Sequence, residues 1–274
     1  MDERVVKFKE TADFIVQRTA TPPEIGIVLG SGLGTLADSI EQPIVMPYSE
    51  VPHFVHSTAI GHKGNLIFGT LGGKSVLAMQ GRFHYYEGYA MEQITFPVRV
   101  MALLGIKALF VSNAAGSVNP AFHVGDLMII RDHINLLPNP LIGRNIDEMG
   151  PRFPDMTRPY DPGLIQAAEK IAAAQHIKLH QGVYLASAGP TYETPAEYAY
   201  FGKIGADAVA MSTTPEVIVA RHSNIPVFGM SVITNEAHHF SADFVNIHAD
   251  VVEAADKAAK TMSFLFRRLI EQMG

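Results

Sequence analysis

Apolar positions along the chain fall into two alternating patterns. Residues 4–18 carry Val5, Phe8, Ala12, Ile15 and Val16 at helical spacing, which predicts an amphipathic helix. The next apolar run, Ile25 to Leu29, is short and unbroken, as in a strand buried on both faces. Residues 65–80 predict a hairpin around Gly72-Gly73, 91–104 a helix and 107–112 a strand. Residues 126–136 are extended, and 137–160 form a loop rich in Pro, Asn and Gly. A helix over 161–175 leads to strands at 182–187, 207–211 and 227–234, and 245–271 is a long amphipathic helix. Strands interleaved with helices imply an α/β class on a central mixed sheet. No Pro/Ser-rich linker or charge block divides the chain, so a single domain over residues 1–274 is expected.

Two helix starts are chemically legible. Thr194 caps, Pro195 takes the first helical position and Glu197 closes a capping box. Thr214 and Pro215 play the same two parts ahead of Glu216. For Thr194, Glu197, Thr214 and Glu216 a capping role is the whole reading. Glu193 and Ser212 lie just outside these caps, where strand ends meet helix N-termini and ligands gather in open α/β sheets.

Composition narrows the function classes. The 274 residues are 47% hydrophobic, enough for one large core, and the net charge of −6 argues against nucleic acid or an anionic membrane as partner. An anion site must therefore be a local basic pocket. Cysteine is absent, which excludes disulfides, thiol nucleophiles and cysteine metal sites. The start, Met1-Asp2-Glu3-Arg4, is charged, no signal-type apolar stretch follows it, and no apolar run reaches about 20 residues. A soluble, cytoplasmic protein without a membrane partner is expected.

The candidate chemistry begins at Gly30-Ser31-Gly32-Leu33-Gly34, directly after the first strand and at an expected helix start. Such a turn leaves backbone N–H groups free to meet an anion, and Ser31 adds a hydroxyl. Thr35 breaks a dinucleotide fingerprint, and no Gly-Lys-Ser/Thr ends the turn. Fifty residues later, Arg82 offers a planar fork of donors and His84 a ring nitrogen, in a segment bounded by Gly81 and Gly88. The plain alternative is a surface arginine and a solvated histidine. A small-residue loop, 112–117, ends the 107–112 strand and lets backbone donors approach a ligand. Asn235 follows an apolar strand, and with Glu193 it has the donors and acceptors to read a heterocycle edge while Tyr192 stacks. The 12 histidines include His53, His56, His238 and His239, but no metal-binding spacing occurs, so no metal is expected. There is no G-x-S-x-G elbow for a serine nucleophile.

These motifs closely resemble the trimeric, low-molecular-mass purine nucleoside phosphorylases over nearly the whole chain. The likeness rests on the 30–34 turn, Gly81-Arg82-Phe83-His84 with Tyr86-Glu87-Gly88-Tyr89, and Asn113-Ala114-Ala115-Gly116. It continues through Gly189-Pro190-Thr191-Tyr192-Glu193-Thr194, the run 205–213 and Ile233-Thr234-Asn235. The resemblance implies one α/β domain around a mixed, partly barrel-like sheet. It implies reversible phosphorolysis of 6-oxopurine ribonucleosides and 2′-deoxyribonucleosides, such as guanosine and inosine, to free base and sugar 1-phosphate, as in purine salvage. By motif position, phosphate would meet Ser31, Arg82, His84, the backbone of Ala114, and Ser212, with His62 in a nearby loop. The sugar would meet Tyr86, the backbone of Met211, and His248, and the base would meet Glu193, Asn235 and Tyr192. Phe153 would close a neighbouring subunit's sugar site in a homotrimer. Inorganic phosphate is then a co-substrate, and no cofactor is implied.

The chain departs from the family pattern in places. Tyr192 stands where many relatives carry Phe, Glu236 where the vertebrate members carry Lys, and the 53–62 loop has its own histidines. A methylthioadenosine phosphorylase would use Asp in place of Asn235. A hydrolase would not need Ser31, Arg82 and His84 together, and a non-catalytic nucleoside sensor would be expected to have lost one of these contacts.

Overall fold

A computed structural model describes residues 2–59, 61–236 and 248–273. The first helix, α1 (Glu3–Thr19), starts where the Asp2 carboxylate accepts the Arg4 N–H at 3.0 Å. Val5, Phe8, Ala12 and Ile15 turn inward as their spacing requires, whereas Val16 is left 39% exposed. The strands β1 (Ile25–Leu29), β3 (Asn65–Leu71) and β4 (Lys74–Gln80) follow, with β3 and β4 in register as a hairpin, Leu71 opposite Lys74. Gly72 and Gly73 have φ of 58° and 76°, the left-handed pair that a two-residue turn between twisted strands needs. Between β1 and β3 lies an edge strand that the apolar pattern does not reveal, β2 (Glu41–Pro47). Its residues are mostly exposed and include two prolines.

The sheet runs β2-β3-β4-β1-β5-β8-β7-β6-β9, and β9 pairs back onto β5. The five strands β5 (Ala108–Ser117), β8 (Ala208–Ala210), β7 (Leu179–Ala186), β6 (Leu127–Asn135) and β9 (Val227–Glu236) therefore close into a small mixed barrel, with the other four strands as an open wing. Side-chain alternation divides the core. Ile25, Ile27 and Leu29 of β1 join Ala108 and Phe110 of β5 under α3 (Pro162–Ala174) and α6 (His248–Glu271). Val28, Leu109 and Val111 face the opposite layer of α1, α2 (Met91–Leu103) and α5 (Thr214–His222). Phe110, Phe228 and Phe266 form an aromatic triangle with ring centroids 5.3–5.8 Å apart, which seats α6 on the barrel.

Three local expectations need correction. The turn after β1 leads into a 3₁₀ segment, Gly34–Ser39, rather than an α-helix. The 112–117 segment is not a loop, because β5 continues through it to Ser117, pairing with β9 and, at Gly116 and Ser117, with β8. Thr214 is the first residue of α5 and not its cap; Thr213 takes the cap position with φ at 71°, and the Thr214 hydroxyl donates to Asn135 Oδ1 at 2.6 Å. The α4 start (Pro195–Lys203) follows the expectation, with Thr194 and Glu197 in a reciprocal capping box.

Candidate active site

Strands β4, β1, β5 and β9 are mutually parallel, so their C-terminal ends share one edge of the sheet. Ser31 follows β1, Arg82 follows β4, and Asn235 is the penultimate residue of β9. Strand β8 runs antiparallel to the end of β5, with Val209 opposite Gly116, so the chain beyond it turns back along β5 and brings Met211 and Ser212 to the same cleft, and the chain beyond β7 brings Tyr192 and Glu193. The result is one cleft of about 680 Å³, open mouth included, lined by every one of these residues together with His84, Tyr86 and Ala114. Placement of a cleft at carboxyl strand ends is what a doubly covered α/β sheet favours.

One end of the cleft gathers donors that can meet an oxyanion. Arg82 is 1% exposed, so it is not a surface arginine. Its Nε donates to Glu216 Oε1 at 2.8 Å and its Nη1 to the Ser112 carbonyl at 2.6 Å, while Nη2 is buried and finds no partner. A guanidinium N–H left unmade at a cleft wall is costly until an acceptor arrives. Ser212 is held by Tyr184, whose hydroxyl donates to the Ser212 carbonyl at 3.1 Å, and by the hydroxyl contact to Thr213 at 3.1 Å. Thr213 Oγ1 in turn accepts from Asn113 Nδ2 at 2.9 Å. A β-branched residue at positive φ is strained, and here that strain accompanies the chain reversal beside Ser212.

The histidines at this end are neutral donors and acceptors. Burial, with His84 and Arg82 nearby, pushes His62 down to about 3. Its Nδ1 accepts the Arg82 backbone N–H at 3.1 Å, and its Nε2 lies 3.2 Å from the Ser31 hydroxyl, so His62 supports the cleft from behind Ser31. Burial also lowers His84, against the opposing pull of Glu87. Glu87 is itself desolvated, but hydrogen bonds from His84 and Thr58 outweigh that and hold its carboxyl at about 2. The ionised Glu87 accepts from His84 Nδ1 at 3.0 Å, which places the ring proton there and leaves Nε2 as the open nitrogen. The rings of His62, His84 and Tyr86 stack in a row, with centroids 5.2 and 4.6 Å apart.

The other end suits a planar base. Glu193 Oε1 accepts from the Ser187 hydroxyl at 2.8 Å, and the Asn235 carbonyl oxygen lies 3.3 Å from the Thr234 hydroxyl. Asn235 lies so close to β5 that a Cβ at position 116 would stand 2.7 Å from its Nδ2, so the bare Gly116 is what lets the amide rest where it does. Glu236 points away to the 119–126 turn, where it accepts the Val124 N–H at 3.1 Å and meets His123 Nδ1 at 3.3 Å.

Of the expected members, His62 stands behind Ser31 and does not line the cleft, and Phe153 lies apart from it. Phe153 is 88% exposed and lines a separate hollow with Arg152 and Pro154. The His248 side chain lies outside the described residues, as do His238 and His239. Conversely, Glu216 and Glu87 were not expected to support Arg82 and His84. Glu216 is a lone acid in the apolar run 215–220, which was a legible signal, and Glu87 sits three residues beyond His84. A second hollow of about 930 Å³, open mouth included, lies between α1, α2 and the 140–146 loop. There Arg4 is paired with Asp2 and Glu92, and Arg99 donates to His222. Among the described residues no cluster of three His, Cys, Asp or Glu side chains is placed to hold a metal, and no helix is long and apolar enough to cross a membrane.

The family model of the phosphorylase superfamily matches residues 24–271. Purine nucleoside phosphorylase 1 of Bacillus subtilis is 51% identical over 267 residues, 97% of this chain and 98% of its own. The chain belongs to the purine nucleoside phosphorylases of that superfamily. Crystal structures of the Schistosoma mansoni purine nucleoside phosphorylase align over 98% of this chain with a TM-score of 0.94. The inosine complex is 42% identical and covered over 97% of its length, and the adenosine complex is 43% identical and covered over 98%. A purine nucleoside phosphorylase in complex with ribose-1-phosphate aligns at a TM-score of 0.88 and 43% identity, over 98% of this chain and 97% of that one. The family and its fold, an α/β sheet closed in part into a barrel, are those implied by the motifs.

Proposed function

We propose that this enzyme cleaves 6-oxopurine ribonucleosides and 2′-deoxyribonucleosides with inorganic phosphate, in both directions, and needs no further cofactor. The observation that carries the reading is the pairing, in one cleft, of an unsatisfied Arg82 Nη2 beside Ser31 and Ser212 with Asn235 and Glu193 at the other end. Phosphate held at the first end lies against the anomeric carbon of a nucleoside whose base occupies the second. As the C1′–N9 bond lengthens, the sugar becomes cationic and the purine anionic. A phosphate oxygen then supplies the electron pair for the new C1′–O bond, and the purine keeps the pair of the broken bond and takes up a proton. Phosphate stabilises the cation, and the Asn235 amide donates to charge growing on the base, a contact that strengthens toward the transition state. Tyr86, the Met211 backbone and His248 are assigned to the sugar, Tyr192 and Glu193 to the base, and Ser31, His62, Arg82, His84, Ala114 and Ser212 to phosphate. Neutral His84, its Nδ1 proton engaged by Glu87, offers Nε2 as acceptor for the hydroxyl of hydrogen phosphate.

The same reading makes residues 1–274 one catalytic domain of a cytoplasmic homotrimer, in which the exposed Phe153 covers the sugar of a neighbour. Inosine consumption with and without phosphate tests the central point. Strict dependence on phosphate supports phosphorolysis, and cleavage in its absence means hydrolysis. Because a relative was solved with adenosine, turnover and not binding decides base preference. Adenosine is expected to react far more slowly than inosine, and equal rates refute the role given to Asn235.

A further inference from the structure

Glu216 is 3% exposed and lies on α5 among apolar neighbours, where a carboxylate is expensive to hold. Its partner is Arg82, reached through Nε at 2.8 Å. An arginine and a carboxylate left to themselves pair as a fork, two parallel N–H···O bonds on one edge of the guanidinium. Here the fork is not closed. Glu216 Oε2 and Arg82 Nη2 are both buried and both without a partner, although the side-on pairing of Nε and Nη2 would satisfy each of them. Nη1 is meanwhile held by the Ser112 carbonyl at 2.6 Å. Two anchors on two nitrogens fix the plane of the guanidinium, and the third nitrogen is kept out of the pair.

We propose that Glu216 is a positioning residue for phosphate, holding Arg82 by a single bond so that Nη2 stays free to meet an oxyanion in the cleft. This rests on the reading of Arg82 as a phosphate ligand. Glu216 also balances the buried arginine charge before phosphate arrives. The pair thus delivers a directed donor rather than an isolated buried cation. Glu216 reaches the substrate only through Arg82, and its effect is confined to phosphate.

Steady-state kinetics with phosphate and inosine varied separately test this. In Glu216→Ala the KM for phosphate is expected to rise at least tenfold while the KM for inosine stays within twofold. Glu216→Gln keeps an acceptor for Nε and is expected to recover to within about threefold of the parent. In an Arg82→Ala background, adding Glu216→Ala is expected to change nothing more. A folded Glu216→Ala enzyme with parental phosphate KM overturns the proposal, as does a further loss in the Arg82→Ala background. Should Glu216→Ala not fold, Glu216→Asp carries the test. It draws the acceptor back by one methylene and is expected to raise the phosphate KM about fivefold, and an unchanged value overturns the proposal. Arg82→Ala alone separates the two readings. If it leaves phosphate KM unchanged, the phosphate site itself is misassigned; if it raises phosphate KM while the Glu216 variants do not, only the inference about Glu216 falls.

Discussion

Asn235 carries little information as a residue type, and the role proposed for it comes from where β9 ends. Replacing it with alanine is expected to lower kcat on inosine by about 10²–10³, the usual cost of one donor to a developing anion, with phosphate KM within twofold. Asn235→Asp is expected to move the adenosine-to-inosine ratio toward adenosine, because a protonated carboxyl or carboxylate matches a 6-amino edge. An unchanged ratio argues against the contact. Gly116 is the second residue on which this depends. A methyl group there would press on the Asn235 amide at 2.7 Å, and since that amide is the free end of a side chain, it moves rather than the strands. Gly116→Ala is therefore expected to lower kcat roughly tenfold while Tm changes by no more than about 2 °C. A large fall in Tm with kcat intact would mean that the barrel, not the amide, had yielded.

Between elements, the tie least visible beforehand joins α2, α5 and the loop that carries Phe153. Arg99 Nη1 donates to His222 Nδ1 at 2.8 Å, and His222 Nε2 meets Asn145 Oδ1 at 3.0 Å. His222 is 1% exposed and is pushed down to about 4 by burial and the adjacent Arg99, so it bridges as a neutral ring. His222→Ala leaves a buried guanidinium short of its acceptor and is expected to cost about 2 kcal/mol, a fall of roughly 5 °C in Tm by calorimetry. The strand β2 and the far half of β5 were hidden for related reasons. Strand β2 lies on the sheet edge with mostly exposed residues, so it lacks the apolar run that marked β1. Residues 113–117 are small and turn-like in composition, and pairing with β8 and β9 is what holds them extended.

For the molecule as a whole, the buried histidines set the response to acid. His62 is lowered to about 3 and His133 and His222 to about 4, in each case first by burial. The unfolded chain takes up protons on these rings near pH 6.5, whereas the folded chain resists until pH 3–4. Their contribution to stability is complete above pH 6.5 and is lost as the pH falls through that window. Tm is therefore expected to drop steadily from pH 6.5 to 4, and a flat profile would show that these rings are not held neutral. Assembly belongs to this scale too. If Phe153 covers a neighbour's sugar, Phe153→Ala is expected to raise the KM for inosine about tenfold and leave phosphate KM unchanged, with the trimer still present by light scattering.

Local chemistry was legible wherever a signal lies within a few residues. Helical spacing gave α1 and α6, the paired glycines gave the β3–β4 hairpin, and Thr194-Pro195 with Glu197 gave the start of α4. The motifs around Ser31, Arg82, His84, Glu193 and Asn235 were enough to name the family. The tertiary structure alone decided how those segments meet: the closure of β9 onto β5, the burial of Arg82, its open pair with Glu216 134 residues away, and the 2.7 Å approach of Asn235 to Gly116. The reason is physical. Periodicity and capping are short-range properties of the backbone, whereas the direction of a single N–H in a cleft depends on contacts between residues far apart in the chain, which no local pattern encodes.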